Sequence, residues 1–287
     1  MAGSQFFEDL LIARAIDILK SSLDQKSEKW CVEFGAGDGI DCSNTYNLIQ
    51  AGFYSVQIEV NAKEFNLLSK NYFNNEKVAL INEAVGFTSD DGLHTLLRRT
   101  QCPVQPLLLS IDIDGNDIYA WLALEHYRPN LVLIEFNPSF PNDIDFRQEN
   151  NPSLFQGSSL LATTNVARDI GYELIGVTPI NALFCAQEKF HLFNMRNNNI
   201  NHLYDNSIYK TSLAQLYDGT LVLLGNDRLM WHRITIDPED LQVLPKALRS
   251  YSASIDVRKV HNHRVATKGD PVVKLENITW LDQNSSD

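Results

Sequence analysis

The chain has no C-x-x-C pair, no run of five or six Lys and Arg, and no apolar stretch long enough to cross a bilayer. Each absence removes a class of function. The four cysteines, Cys31, Cys42, Cys102 and Cys185, are scattered, so neither a zinc ribbon nor a redox dithiol is expected, and reduced structural cysteines are. Basic side chains number 24 against 36 acidic ones in 287 residues, a formal charge of −12. That balance repels a phosphate backbone, so nucleic acid is not expected as a partner. Glu8, Asp9, Arg14 and Asp17 interrupt the apolar residues of the N-terminus. The segment therefore reads neither as a signal peptide nor as a membrane span, and a cytoplasmic location is expected by default. The sequons at Asn277 and Asn284 carry no meaning without a secretory route.

What the chain does have is a large apolar share, 44%, enough for one large domain with an extension or for two modest ones. Phe6, Phe7, Leu10, Leu11, Ala13 and Ile16 recur at helical spacing, which predicts an amphipathic helix within an N-terminal segment 1–28. From Lys29 on, apolar runs of strand length (CVEF, SVQIEV, VALINEAV, PLLLSIDI, NLVLIEF) alternate with helices expected at 43–51, 62–73, 90–99 and 116–125. Strand alternating with helix implies a parallel sheet, and runs this apolar imply burial on both faces. A polar stretch, NDIDFRQENNPS, is long enough to be a lid or binding loop. A helix near 158–169 and two more strands, YELIGV and ALFCAQ, bring the count to seven by residue 190. The expected fold is α/β, a Rossmann-like, seven-stranded, mostly parallel sheet with helices on both faces. Residues 29–190 form the domain, and 191–287 a C-terminal extension that is acceptor-binding or a lid.

Chemistry gathers at the strand ends. The first strand runs into EFGAGDG, with Glu33, Gly35, Gly37, Asp38 and Gly39 before a helix, a turn that lets a ligand approach backbone closely. Its spacing is G-x-G-x-G, which suits a ligand with an amino-acid end beside a nucleoside better than a dinucleotide. Glu59, ending the second strand, can accept from both hydroxyls of a ribose. The third strand delivers Asn82, Glu83 and Ala84, where such a sheet would meet the adenine. Asp112 and Asp114 are two apart in LLLSIDIDGND, as are Glu135 and Asn137 in LVLIEFNP, so strand periodicity places each pair on one face. Carboxylates gathered this way need a shared proton or a cation, and oxygen ligands favour Mg²⁺, Ca²⁺ or Mn²⁺ over zinc. The structural alternative is that Asp112 binds a cofactor, Asp114 or Asn116 caps the next helix, and Glu135 meets an Arg or a backbone amine.

Taken together these residues resemble a class I S-adenosylmethionine-dependent methyltransferase, and more narrowly the FkbM-type family. The likeness lies in EFGAGDG with SNTYNLI, QIEV, SIDIDGNDIYAW, IEFNPSFP and GSSLLATTNVARDIGYELIG followed by NALFC, across about residues 29–190. It implies one antiparallel strand among the seven and transfer of a methyl group to a hydroxyl of a sugar or glycoside. It also implies that Glu33, Gly35, Gly37 and Asp38, with Asn44 beyond the turn, hold the methionine end of S-adenosylmethionine. Glu59 would take the ribose, Glu83 and Ala84 the adenine edge, and Asp112 the place beside the sulfonium. Relatives with acids at these strand ends use a divalent metal, so Asp112, Asp114 and Glu135 inherit Mg²⁺ or Mn²⁺ as an expectation. Many members of the broader family carry a lysine-containing sequence where this chain has SIDIDGND.

A sugar hydroxyl needs a base or a metal to become a nucleophile. Asp114 and Glu135 are the expected base or metal ligands, His202 is the histidine to test first, and Asn137 is expected to orient the acceptor. His261 and His263 read as a polar strand, and His94 and His126 as structural. Tyr204, Asp205, Tyr217 and Asp218 read as loop chemistry. Trp121, Tyr127, Phe136 and Phe140 surround the strand ends, as core or as a stacking face for a sugar. The competing functions are methylation of a non-sugar hydroxyl, an NAD-dependent oxidoreductase, and a cofactor-binding protein without catalysis. The sequence leaves the oligomeric state open.

Overall fold

Short, largely apolar segments favour extended backbone, and the computed structural model shows where the strands lie. It describes residues 2–23, 29–88, 90–207, 209–229, 232 and 234–250. In chain order the elements are α1 (Glu8–Leu19), β1 (Trp30–Phe34), α2 (Tyr46–Gln50), β2 (Tyr54–Ile58), α3 (Ala62–Asn71), β3 (Val78–Ile81), α4 (Leu93–Leu97) and β4 (Leu108–Ile111). They continue with α5 (Asp117–Leu122), β5 (Leu131–Glu135), α6 (Leu160–Asp169), β6 (Tyr172–Val177), β7 (Asn181–Ala186), α7 (Ile200–Leu203), β8 (Thr211–Gln215) and β9 (Leu221–Gly225).

Seven strands make one sheet in the order β3-β2-β1-β4-β5-β7-β6. Strands β1 to β5 pair in parallel, while β7 runs antiparallel to both β5 and β6. This is the Rossmann-like, mostly parallel fold expected from the sequence. The order reverses between β1 and β4, and open α/β sheets bind ligands at the carboxyl ends beside such a reversal.

Alternation along each strand feeds two cores. On one face Val32, Phe34, Leu109, Ile111, Val132, Ile134 and Phe184 pack with Leu96, Trp121 and Val166 from helices. On the other, Cys31, Leu108, Leu131, Leu133, Leu183 and Cys185 meet Ile49, Leu68 and the stripe Ile12, Ala15, Leu19 of α1. Those α1 residues recur every three or four positions and are buried; burying a side chain such as Leu19 is worth about 2–3 kcal/mol. Glu8 lies one turn before Ile12 on the same stripe and is buried too, which carries a carboxylate to the end of the sheet.

Beyond β7 the chain makes α7 and an antiparallel hairpin, β8–β9. Asn199 caps α7 by accepting from the Asn201 amide, and the Tyr204 ring meets Phe136 edge-on while its hydroxyl donates to Pro179 O at 3.0 Å. No helix among the described residues is long and apolar enough to cross a membrane.

Candidate active site

The glycine-rich turn after β1 is held open by its neighbours. A side chain at Gly35 (φ +84°) would collide with the carbonyl oxygen of Asp112, so β1 and β4 approach closely there. Gly37 (φ +54°) instead faces open space. Its amide donates to Glu59 Oε2 at 2.8 Å, and the Asn61 amide to Glu59 Oε1 at 2.7 Å. Each Glu59 oxygen keeps a second lone pair, as a carboxylate that is to take two ribose hydroxyls must.

Glu33 is fully engaged by the protein. Ser43 Oγ and Thr45 Oγ1 each donate to it at 2.6 Å, and the Asn44 amide at 2.7 Å. Burial raises its pKa, and these donors oppose the rise. Its work is to fix the segment 43–45, from which Asn44 Nδ2 reaches Ser110 Oγ at 3.1 Å. Asp38 accepts from the amides of Ile40 and Asp41 and so closes its own turn. Glu83 forms a bidentate pair with Arg99 at 2.6 and 2.8 Å on the surface, next to exposed Ala84.

The acids do come together, but not by strand periodicity: β4 ends at Ile111, and Asp112 and Asp114 lie in the bend beyond it. One carboxylate oxygen from each of Asp112, Asp114 and Glu135 lies within 4.8 Å of the others. Asp112 and Glu135 hydrogen-bond through their side chains, and burial pushes both well above the ordinary carboxylate range, helped at Asp112 by the charges of Asp117 and Asp114 and at Glu135 by that of Asp112. One proton shared between them would relieve the crowding. Asp114 sits at φ +60°, a conformation that Asp tolerates better than most residues. A residue the sequence reading passed over fixes that bend: buried Asp117 accepts from the Ile113 amide at 2.8 Å and the Gly115 amide at 2.9 Å. Burial pushes the Asp117 carboxyl up to about 6. Its signal was an acid in the first turn of a helix that follows a D-G bend.

Asp114 and Glu135 open into a cleft of about 670 Å³, lined also by Asn137, Phe136, Phe140, Phe146, Phe155 and His232. Phe140 and Phe146 stack with centroids 4.5 Å apart, and Phe155 is 72% exposed. The Asn137 amide braces the wall: Nδ2 donates to Gln156 O at 2.7 Å, and Oδ1 accepts from the Ser139 amide and hydroxyl. The polar stretch expected to be a lid or binding loop forms part of this wall. Fully buried Gln148 pins it, accepting from the Gln156 and Gly157 amides at 2.8 and 3.0 Å and donating to Leu154 O at 3.2 Å.

Of the histidines, His232 lines the cleft. His202 is exposed on α7 and is not among the lining residues. His94 is buried against Ala123 O at 2.8 Å, and His126 is exposed beside Glu125. His261 and His263 lie outside the described residues. Tyr204 and Trp121 are core, Asp205 and Asp218 cap local turns, and Tyr217 is on the surface. Cys31, Cys102 and Cys185 are buried and their thiols are pushed up to about 12, as inert structural cysteines are.

No family model matches the chain, and no curated protein matches it by sequence. Solved structures similar to it include a TehB-like SAM-dependent methyltransferase from Corynebacterium glutamicum, at 11% identity and a TM-score of 0.37 over 62% of this chain and 93% of that one. The N-terminal domain of human METTL16 is 14% identical, with a TM-score of 0.38 over 61% and 67%. The plantazolicin methyltransferase BamL, in complex with a triazolic desmethylPZN analog and SAH, is 12% identical, with a TM-score of 0.39 over 68% and 75%. At this distance the description of the fold rests on the strand order itself.

Proposed function

We propose that the protein is an S-adenosylmethionine-dependent methyltransferase acting on a hydroxyl of a sugar or glycan acceptor. One observation carries the reading. The carboxyl group of Asp112, Asp114 and Glu135 adjoins the Gly35 turn on one side, through the Asp112 backbone, and lines the aromatic cleft on the other. A cofactor cradle and an acceptor cleft would thus meet at a proton-accepting centre.

The cradle fits the cofactor: Gly37 leaves room, and Glu59 keeps lone pairs for the ribose. Glu33, Gly35 and Asp38 shape the methionine end by fixing the turn, and Asn44 stands beside it. Glu83 and Ala84 flank the adenine edge. Bound S-adenosylmethionine supplies an activated methyl group, and the chain has to align an oxygen behind it and take its proton. Asp114, at the open side of the carboxyl group, is placed to take that proton; His232 faces the same cleft and His202 does not. Asn137 keeps the wall in place for the acceptor. The all-oxygen set also fits Mg²⁺ or Mn²⁺, which Asp112, Asp114 and Glu135 would hold and which would make a bound hydroxyl more acidic.

Four phenylalanines in the cleft favour a second acceptor class, an aryl or other flat apolar alcohol. Calorimetry of the full chain with S-adenosylmethionine, S-adenosylhomocysteine and NAD, with and without Mg²⁺, tests the cofactor reading. Binding of both adenosyl compounds but not NAD is expected, and Glu59→Ala should weaken it at least about tenfold. NAD binding alone would return the oxidoreductase reading. Turnover of glycosides or of aryl alcohols then separates the two acceptor classes, and binding without turnover of either leaves a cofactor-binding protein.

A further inference from the structure

Helix α1 points a carboxylate at the sheet, and both of its oxygens are taken. Glu8 Oε2 accepts from the Phe6 amide at 2.7 Å, while Oε1 accepts from Thr178 Oγ1 at 2.7 Å and Asn181 Nδ2 at 3.3 Å. A carboxylate can only accept, so Glu8 settles which way the Asn181 amide is turned: nitrogen toward Glu8, oxygen away. That oxygen, Asn181 Oδ1, is buried without a hydrogen-bond partner among the described residues, in a residue only 2% exposed. A buried carbonyl oxygen left without a donor is unfavourable, and native structures that keep one usually have a water or an ion to fill it.

Its position says what could. Asn181 opens β7 and pairs with Glu135 across the β5–β7 ladder, so the two side chains leave the same face of the sheet as direct neighbours. Glu135 in turn belongs to the carboxyl group with Asp112 and Asp114. Hard divalent cations take neutral carbonyl oxygens alongside carboxylates, because a mixed set fills the coordination shell with less repulsion than acids alone. We infer that Asn181 Oδ1 is a further oxygen ligand of the carboxylate site at the ends of β4 and β5, and that Glu8 of α1 is its positioning residue. This rests on the cation reading above and extends it to two residues far from the acidic motifs in sequence. It also gives the buried end of α1 a role in the site, since Glu8 orients the ligand without touching the metal.

The probe is Mn²⁺ alone, titrated into the full chain by calorimetry and by the loss of free-ion signal in electron paramagnetic resonance. Wild type binds, and Asp112→Asn abolishes binding. Asn181→Leu, similar in size but without the oxygen, is expected to weaken Mn²⁺ about tenfold or more. Glu8→Gln can present an amide to Asn181 Oδ1 and turn it around, so a loss is expected there as well. The decisive variant is the double exchange Glu8→Gln with Asn181→Asp, which moves the charge from helix to strand. The new amide on the helix would then donate to one oxygen of the new carboxylate on the strand while the other faces the site, and affinity should return to at least the wild-type value. A role confined to packing predicts no such rescue. Wild-type binding with Asn181→Leu and the double variant both within twofold of it, or a double variant that folds but stays weak, overturns the inference and leaves the cation reading standing. Absence of Mn²⁺ binding by wild type overturns both.

Discussion

Replacing Glu135 by Gln should stabilise the cation-free protein at neutral pH, although it removes an ionisable group from the proposed active site. Glutamine keeps the shape and can still donate to Asp112, so the hydrogen bond survives and the ionisation does not. The pKa of Glu135 is raised above its usual 4.5 by burial and by Asp112. The folded state therefore binds more protons than the unfolded one, and stability falls as pH rises above that usual value. At about pH 7.5 the ceiling is the distance from 4.5, three units, or about 4 kcal/mol. Glu135 borders an open cleft, and solvent screening brings the expected gain to about 1–2 kcal/mol. That corresponds to a rise in Tm of about 2–8 °C for a domain of this size. Thermal melts of both proteins at about pH 5 and pH 8, with and without Mn²⁺, provide the assay. The gain should shrink toward pH 5, and Mn²⁺ should stabilise wild type more at pH 8 and the Gln variant less at either pH. A Gln variant that is destabilised at pH 8, or whose advantage does not change with pH, would refute the crowding argument.

Further substitutions separate scaffold from chemistry. Gly35→Ala places a methyl group against the Asp112 carbonyl at a positive φ, and a loss of more than about 3 kcal/mol is expected in denaturant melts. A Gly35→Ala variant as stable as wild type would show that β1 and β4 do not approach as described. His232→Gln should lower kcat by about 100-fold or more if the cleft-facing imidazole takes part in proton transfer, whereas His202→Gln should leave kcat unchanged; equal effects of the two would remove His232 from the site.

The sheet was legible because strands covered on both faces are written as near-continuous apolar runs, and LVLIE or LLSI needs no partner to be recognised. The acids were expected to converge through the two-residue repeat of a strand, but Asp112 and Asp114 follow the end of β4 at Ile111, and a bend with Asp114 at φ +60° replaces that repeat. What could not be read depends on distant parts of the chain. Glu8 meets Thr178 across 170 positions, and Tyr119 meets Gln148 across 29, and no periodicity encodes either encounter. His232 reaches the cleft from a segment whose pattern carries no repeat. The hairpin β8–β9 escaped because TSLAQ carries neither an apolar run nor an alternation, so the short apolar run LVLLG had no recognisable partner beside it. Glu33 and Asn137, expected beside the ligands, bond to the loops around the site, a role set by distant partners that the motifs alone do not encode.

The pinned wall around Gln148 has a thermodynamic consequence. A mobile lid must be ordered by each arriving molecule, and freezing even a few backbone residues costs about 1–2 kcal/mol apiece. Here Gln148, with the Tyr119 hydroxyl on its carbonyl at 2.7 Å and Asn116 Nδ2 on Asn151 O at 3.0 Å, has already ordered that stretch. On the proposed function, an acceptor would meet a formed slot, and its affinity would report contact rather than induced order. Selectivity in such a slot would be steric: a molecule too large for it would be turned away by a wall that its own hydrogen bonds hold in place.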